Sequence, residues 1–155
     1  MPIIIEHQLD IDAVPETVWQ VISDFSHYSQ WNPFIVGCEC NLAVGNEIVM
    51  QVVLGEDKPP RAQTEYISEV DHGRYFAYTS PKKPTFLLRS FRSHTITALA
   101  NNRTRYDSRF ELHGLLVPLL KLVLNKPLQW GFTEMSSGIA KRAVALQSAS
   151  TGLQD

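Results

Sequence analysis

Residues 3 to 11 alternate, with Ile3, Ile5, His7, Leu9 and Ile11 on one side and Ile4, Glu6, Gln8 and Asp10 on the other. A period of two belongs to a strand with one buried face. The period then lengthens. Pro15 and Glu16 suit a first helical turn, and Val14, Val18, Val21, Ile22 and Phe25 recur at helical spacing, which predicts a short helix ending near Asp24. Ser26 to Phe34 reads as a second short helix or turn. Asn32-Pro33 stops it, because the residue before a proline is pushed out of the helical region.

From Phe34 to His113 the pattern is one of short β-rich runs, predicted near 34–42, 46–54, 61–71, 74–80, 86–99 and 104–113. Turn chemistry separates them at Val44-Gly-Asn46, Gly55 to Pro60, Asp71-His-Gly73, Pro81 to Pro84 and Ala100 to Arg103. Short connections favour neighbouring strands, so the six form an antiparallel meander. Beyond His113 the chain is at its most apolar, from Gly114 to Pro127, and such a segment needs a large apolar surface to lie on. Leu128, Phe132, Met135, Ile139, Ala143 and Leu146 then recur every three or four residues, the stripe of an amphipathic helix. Pro127 removes a backbone donor, so two helical pieces are predicted, 115–125 and 127–148, joined at a kink or break.

The order is β-α-α-β6-α, an α+β fold in a single domain of residues 1–148 with a frayed tail at 149–155. A strongly bent antiparallel sheet of about seven strands, with the long C-terminal helix across its concave face, lets the helix stripe and the inward strand faces bury one another. Several segments carry a family resemblance. They are Ile11-Asp-Ala-Val-Pro-Glu-Thr-Val-Trp-Gln-Val-Ile-Ser-Asp-Phe25, Tyr28-Ser-Gln-Trp-Asn-Pro-Phe34, Gly45, Gly73-Arg74, and Phe110-Glu-Leu-His-Gly-Leu-Leu-Val-Pro-Leu-Leu-Lys121. Together they resemble the START-like, or SRPBCC, superfamily with its helix-grip (Bet v 1-like) fold, in particular its polyketide cyclase/dehydrase-like branch. The resemblance covers nearly the whole chain. It specifies a fold and hardly an activity, since that family includes lipid carriers, metabolite binders and cyclases.

Composition narrows the field. With 155 residues, 44% hydrophobic and 19% charged, one domain can bury a real core. A net charge of −2 and the lack of a dense Lys/Arg run give no electrostatic reason to bind nucleic acid. The N-terminal residues lack the pattern of a signal peptide, and the run before Pro127 is too short and interrupted to span a bilayer, so a cytoplasmic protein without a transmembrane segment is expected. Cys38 and Cys40 are too few for a zinc site and awkwardly placed to bridge each other, so they read as two small, partly buried thiols. No metal or cofactor motif is present, nor any nucleophile elbow or phosphate loop.

The resemblance implies a mostly apolar cavity between the long helix and the sheet, fit for a small hydrophobic molecule. Gly131 and Gly138 share a helix face with Met135, and either leave room for a ligand or let a strand come close. Trp31, Asn32 and Phe34 match the family's aromatic corner at the pocket mouth, with packing or gating roles. Strand parity sets Leu88, Ser90, Arg92, His94 and Ile96 on one face, and Tyr106, Ser108, Phe110 and Leu112 opposite a charged face of Arg105, Asp107, Arg109 and Glu111 that meets water. Tyr66, Tyr78 and His94 are the polar candidates for the interior. Arg61, Glu65 and Glu69 read as a solvated charge row. The candidate ligand-binding set is therefore Trp31, Phe34, Tyr66, Tyr78, His94, Gly131, Met135 and Gly138, and the weak catalytic candidate is His94, for acid-base help to a cyclisation or dehydration. A further alternative makes Leu115 to Leu124 a docking surface for a membrane or a second subunit, leaving monomer and homodimer both open.

Overall fold

A computed structural model describes residues 1–81, 84 and 86–152. In chain order these form β1 (Ile3–Ile11), α1 (Pro15–Ser23), a 3-10 turn (Phe25–Gln30), β2 (Ile35–Cys40), β3 (Glu47–Val52), β4 (Arg61–Asp71), β5 (Tyr75–Thr79), β6 (Arg89–Leu99), β7 (Arg103–His113) and α2 (Val117–Gly152). The strands make one curled antiparallel sheet in the order β1-β7-β6-β5-β4-β3-β2. β2 to β7 are the predicted meander, and β1 closes it by pairing with β7 from Ile3↔Leu112 to Ile11↔Thr104. The edge strands β1 and β2 are thus sequence neighbours, linked by α1 and the 3-10 turn. At the β6–β7 hairpin Asn101 and Asn102 both take positive φ, 61° and 57°, a region that asparagine tolerates better than most residues.

The core lies between sheet and helix. Val18, Val21 and Ile22 of α1 are buried together with Leu128, Phe132, Met135, Ile139 and Ala143 of α2, so the stripe read from the sequence is the buried face. On the outer face β1 and β7 carry the solvated ladder expected there, including the cross-strand pair Asp10–Arg105 at 2.9 Å, and just beyond β1 Asp12 pairs with Arg103 at 2.6 Å. Exposed pairs of this kind are worth little. Cys38 is buried and Cys40 half-buried; burial pushes their thiols up to about 12 and about 11, so neither is a nucleophile near neutral pH.

Three expectations need correction. The helix is one element, with Pro127 inside it and not at a break. The carbonyl that Pro127 leaves without a donor belongs to Val123, which is 64% exposed and can be solvated instead. The helix also runs through Gly152, past the predicted end at 148, while 153–155 lie outside the described residues. Finally, the apolar run finds no surface to lie on among the described residues: Leu115, Leu119 and Leu122 are 74%, 69% and 86% exposed, and only Val117 is buried among residues 115–124. Of the predicted turn at 81–84, Lys82 and Lys83 lie outside the described residues.

Candidate functional site

Where α2 crosses the open end of the sheet it leaves a cavity of about 290 Å³. α2 supplies Leu124, Leu128 and Phe132, one residue per turn, the corner before β2 supplies Phe34, and the sheet supplies Ile35, Met50, Val52, Phe110 and Leu112. Against this apolar wall stand Tyr78, Glu65, Ser90 and Arg92, all buried, with Arg61 and Gln63 at an exposed rim.

Glu65 is inside because it pairs with the buried Ile48 of β3, and a bulge further along parts it from Glu69. β4 and β5 pair regularly up to Ile67↔Tyr78, then shift register before Glu69↔Ala77. The extra residue, Ser68, reverses the parity beyond it. Glu65 and Ile67 consequently face the core, at 5% and 2% exposure, while Glu69 faces water. The expected charge row of Arg61, Glu65 and Glu69 is therefore split. Tyr66 has the parity opposite to Glu65 and lies on the outer face, where its hydroxyl donates to Glu47 at 3.3 Å. Desolvation raises the Glu65 carboxyl above its usual range, opposed by hydrogen bonds from Ser90 and Gln63 and by the nearby charge of Arg92.

Arg92 occupies the inward position of β6 next to Ser90 and is 1% exposed. Its guanidinium carbon sits 4.6 Å from the centroid of the Phe132 ring. Nη1 donates to the Ser108 hydroxyl, and Nη2 to Tyr106 at 3.4 Å and to the Met135 sulfur at 3.8 Å. Nε has no partner.

His94 is one inward position further along the same strand, roughly 7 Å on. There the core is filled. The imidazole stacks on Phe76 at 4.6 Å, and Nδ1 lies 2.8 Å from the Tyr106 hydroxyl. It is sealed away and does not bound the cavity, so it is poorly situated to touch a ligand. Burial, reinforced by the Arg92 charge, holds its pKa well below the usual value. This gives a pH signature. Below about pH 6.5 the unfolded histidine takes up a proton that the folded one refuses, so stability falls as pH drops, by up to about 1.4 kcal/mol per pH unit while the two states differ. Glu65, shifted the other way, contributes the opposite slope above about pH 4.5, so His94 is isolated by difference. Urea unfolding at pH 7.5 and 5.5 is expected to show a larger loss for the wild type than for His94→Gln; equal losses would refute this protonation state.

The remaining candidates divide cleanly. Phe34 and Tyr78 line the cavity. Met135 lies beneath it against Arg92, and Trp31 packs in a cleft with Gln20, Asp24 and Arg142. Gly131 and Gly138 face the side chains of Phe34 and Trp31. A Cβ at Gly131 would meet the Phe34 ring at 2.2 Å, and one at Gly138 the Trp31 carbonyl at 2.9 Å. The two glycines thus let α2 press on the aromatic corner before β2. Gly131→Ala should gain about 1 kcal/mol of helix propensity but lose about 1–3 kcal/mol to overpacking. Because the root of the ring, Cγ, also lies within 2.6 Å, overpacking should win. A lowered urea midpoint is expected; a raised one would mean that the ring has room to move.

Reasoning from sequence missed Glu65, Ser90, Arg92, Phe110, Leu128 and Phe132 as wall residues. The usable signal was Ser90-x-Arg92 on the same face as His94, a cation where apolar residues were due.

A curled antiparallel sheet closed by one long helix over a lateral cavity is the helix-grip class of fold. The model of the family described as polyketide cyclase / dehydrase and lipid transport matches residues 2–144, and the chain belongs to that family. A search of curated proteins finds no match. Solved structures share the fold at low identity. A START-superfamily protein from Mycobacterium smegmatis is 18% identical with a TM-score of 0.70, covering 92% of this chain and 98% of its own. A protein from Thermus thermophilus is 16% identical with a TM-score of 0.72, covering 93% and 99%. A norcoclaurine synthase point mutant of Thalictrum flavum, in complex with a transition-state analogue, is 18% identical with a TM-score of 0.67, covering 94% and 96%.

Proposed function

We propose that this chain binds a small, mainly hydrophobic ligand in the cavity between α2 and the sheet. The observation that carries the reading is the cavity itself, about 290 Å³ walled by leucine, phenylalanine and methionine side chains with a few buried polar groups, near the lower end of the usual size for ligand pockets. Family membership supports it. Native mass spectrometry of the protein purified from its own cells is expected to find a co-purified small molecule that denaturation releases. Titration with small apolar probes that finds no saturable binding, together with no such molecule, would sink the reading.

A second reading, an enzyme of the cyclase/dehydratase kind, is favoured by one observation: a buried carboxyl of raised pKa, Glu65, shares the wall with a buried cation. A base of that kind and a cation able to stabilise an enolate suit proton transfer next to a carbonyl. Glu65 replaces His94 as the group to test, and a bound molecule whose mass changes with Glu65 intact but not in Glu65→Gln is the expected mark of turnover.

A third reading uses the run beside the cavity. Leu115, Leu119, Leu122 and Val123 are exposed, Lys121 lies among them and Lys126 just beyond, and no acidic residue occurs between Glu111 and Glu134. Apolar and basic groups together suit an anionic lipid surface. Among the described residues no helix is long and apolar enough to cross a membrane. Flotation with phosphatidylserine vesicles is expected to recover the wild type and lose Leu119→Asp/Leu122→Asp; a monomer in sedimentation that ignores the vesicles disposes of this reading.

A further inference from the structure

Arg92 poses an electrostatic problem that the chain does not solve by itself. An arginine keeps its charge when buried, and taking such a charge out of water costs several kcal/mol unless an opposite charge answers it. Among the described residues no carboxylate lies within ion-pair distance of the guanidinium. Its partners are the Ser108 and Tyr106 hydroxyls, the Met135 sulfur and the face of Phe132, all neutral, and Nε has none. Hydroxyl acceptors and an aromatic face offset only part of the cost. The buried carboxyl on the same wall, Glu65, takes its hydrogen bond from Ser90 and makes no ion pair with Arg92. The fold thus holds, at the wall of an otherwise apolar cavity, a cation whose buried neighbour Glu65 acts on it only from beyond ion-pair distance.

We infer that the cavity selects a small amphipathic carboxylate, whose apolar body lies among Met50, Phe110, Leu112 and Leu128 and whose carboxylate pairs with Arg92. The inference rests on the ligand-binding reading and deepens it. A carboxylate supplies the missing charge, and the planar guanidinium matches it with more than one N–H. The volume sets the size. At about 30 Å³ per water-sized group, the cavity takes on the order of ten non-hydrogen atoms, the size of a medium-chain fatty acid or a bicyclic aromatic acid.

The test compares matched probes on the intact chain by isothermal titration calorimetry at pH 7.5: octanoate, neutral octanamide and cationic octylamine as the aliphatic arm, 2-naphthoate and 2-naphthamide as the aromatic arm. In at least one arm the acid is expected to bind tenfold or more tighter than its amide, and octylamine not at all. Whichever arm shows the preference identifies the source of the carboxylate. In Arg92→Gln the preference should shrink to less than threefold, and Arg92→Lys should keep part of it. Should Arg92→Gln fail to fold, the acid-to-amide ratio of the wild type still decides. Equal affinity of acid and amide overturns the carboxylate inference and leaves the apolar cavity reading standing; saturable binding of none of the probes overturns both.

Discussion

Phe132→Ala is expected to cost about 3–5 kcal/mol of stability and to shift the cavity's preference towards longer ligands. The ring is almost wholly buried and holds three partners at once: Phe34 edge-on at 4.9 Å, Phe110 tilted at 4.7 Å, and the Arg92 guanidinium at 4.6 Å. Truncation removes the transfer energy of the ring and leaves a void continuous with the existing cavity, which α2 cannot close because Gly131 already rests on Phe34. Against the 5–15 kcal/mol usual for a domain, such a loss is large but survivable at its lower end. Urea unfolding should show a lower midpoint with an unchanged slope, and decanoate should gain on octanoate as a probe. Phe132→Leu, which refills most of the space without an aromatic face, should cost less and isolate the contribution of the ring to Arg92. A loss below about 1 kcal/mol for Phe132→Ala would mean that the ring is not packed in this way.

Phe132 also marks the division of labour along α2. From Leu128 to Ala143 its buried face is that of an ordinary core helix, but its first turns carry leucines into solvent. The cavity lies at the change-over, with Leu124 and Leu128 in its wall. The cavity is thus the place where helix and sheet diverge, and the exposed run begins within one or two turns of it.

That geometry explains what the amino-acid pattern could and could not reveal. Periods that persist over long windows were legible: the alternation of Ile3 to Ile11, the stripe from Leu128 to Ala143, and the parity of β6 and β7 all correspond to buried faces. Local events that reset a period were not. One extra residue at Ser68 put Glu65 and Glu69 on opposite faces, and no spacing rule announces a bulge. Depth along a strand was equally hidden. Ser90, Arg92 and His94 share a face, yet where the cavity ends and the filled core begins depends on where α2 crosses. The glycines asked for a reason without supplying it, because Phe34 and Trp31 approach them from a hundred residues away. Pro127 does not break α2, because one lost hydrogen bond is tolerable where the freed carbonyl reaches water.

Asn32→Ala is expected to be the most damaging small change away from the cavity wall, and to act on the cavity all the same. Asn32 is 3% exposed, and its side-chain oxygen accepts from the Phe34 N–H at 3.0 Å and from the Ile35 N–H at 2.8 Å. Two backbone donors facing one side-chain atom identify that atom as the oxygen. Pro33 makes the arrangement necessary, since it brings no N–H of its own and the chain must turn from the 3-10 segment into β2 within a few residues. Alanine leaves both donors buried and unmet at about 1–3 kcal/mol each, so a loss of at least about 2 kcal/mol is expected by urea unfolding. Asn32→Asp keeps an acceptor for both donors, and should recover part of that loss in spite of the cost of burying a charge. The effect should extend to ligand affinity, because these two hydrogen bonds fix the backbone that presents Phe34 to the cavity and to Gly131. Binding of the apolar probes should therefore weaken in Asn32→Ala even at temperatures where the variant remains folded. A variant that unfolds within about 0.5 kcal/mol of the wild type would show that the corner is held by aromatic packing alone.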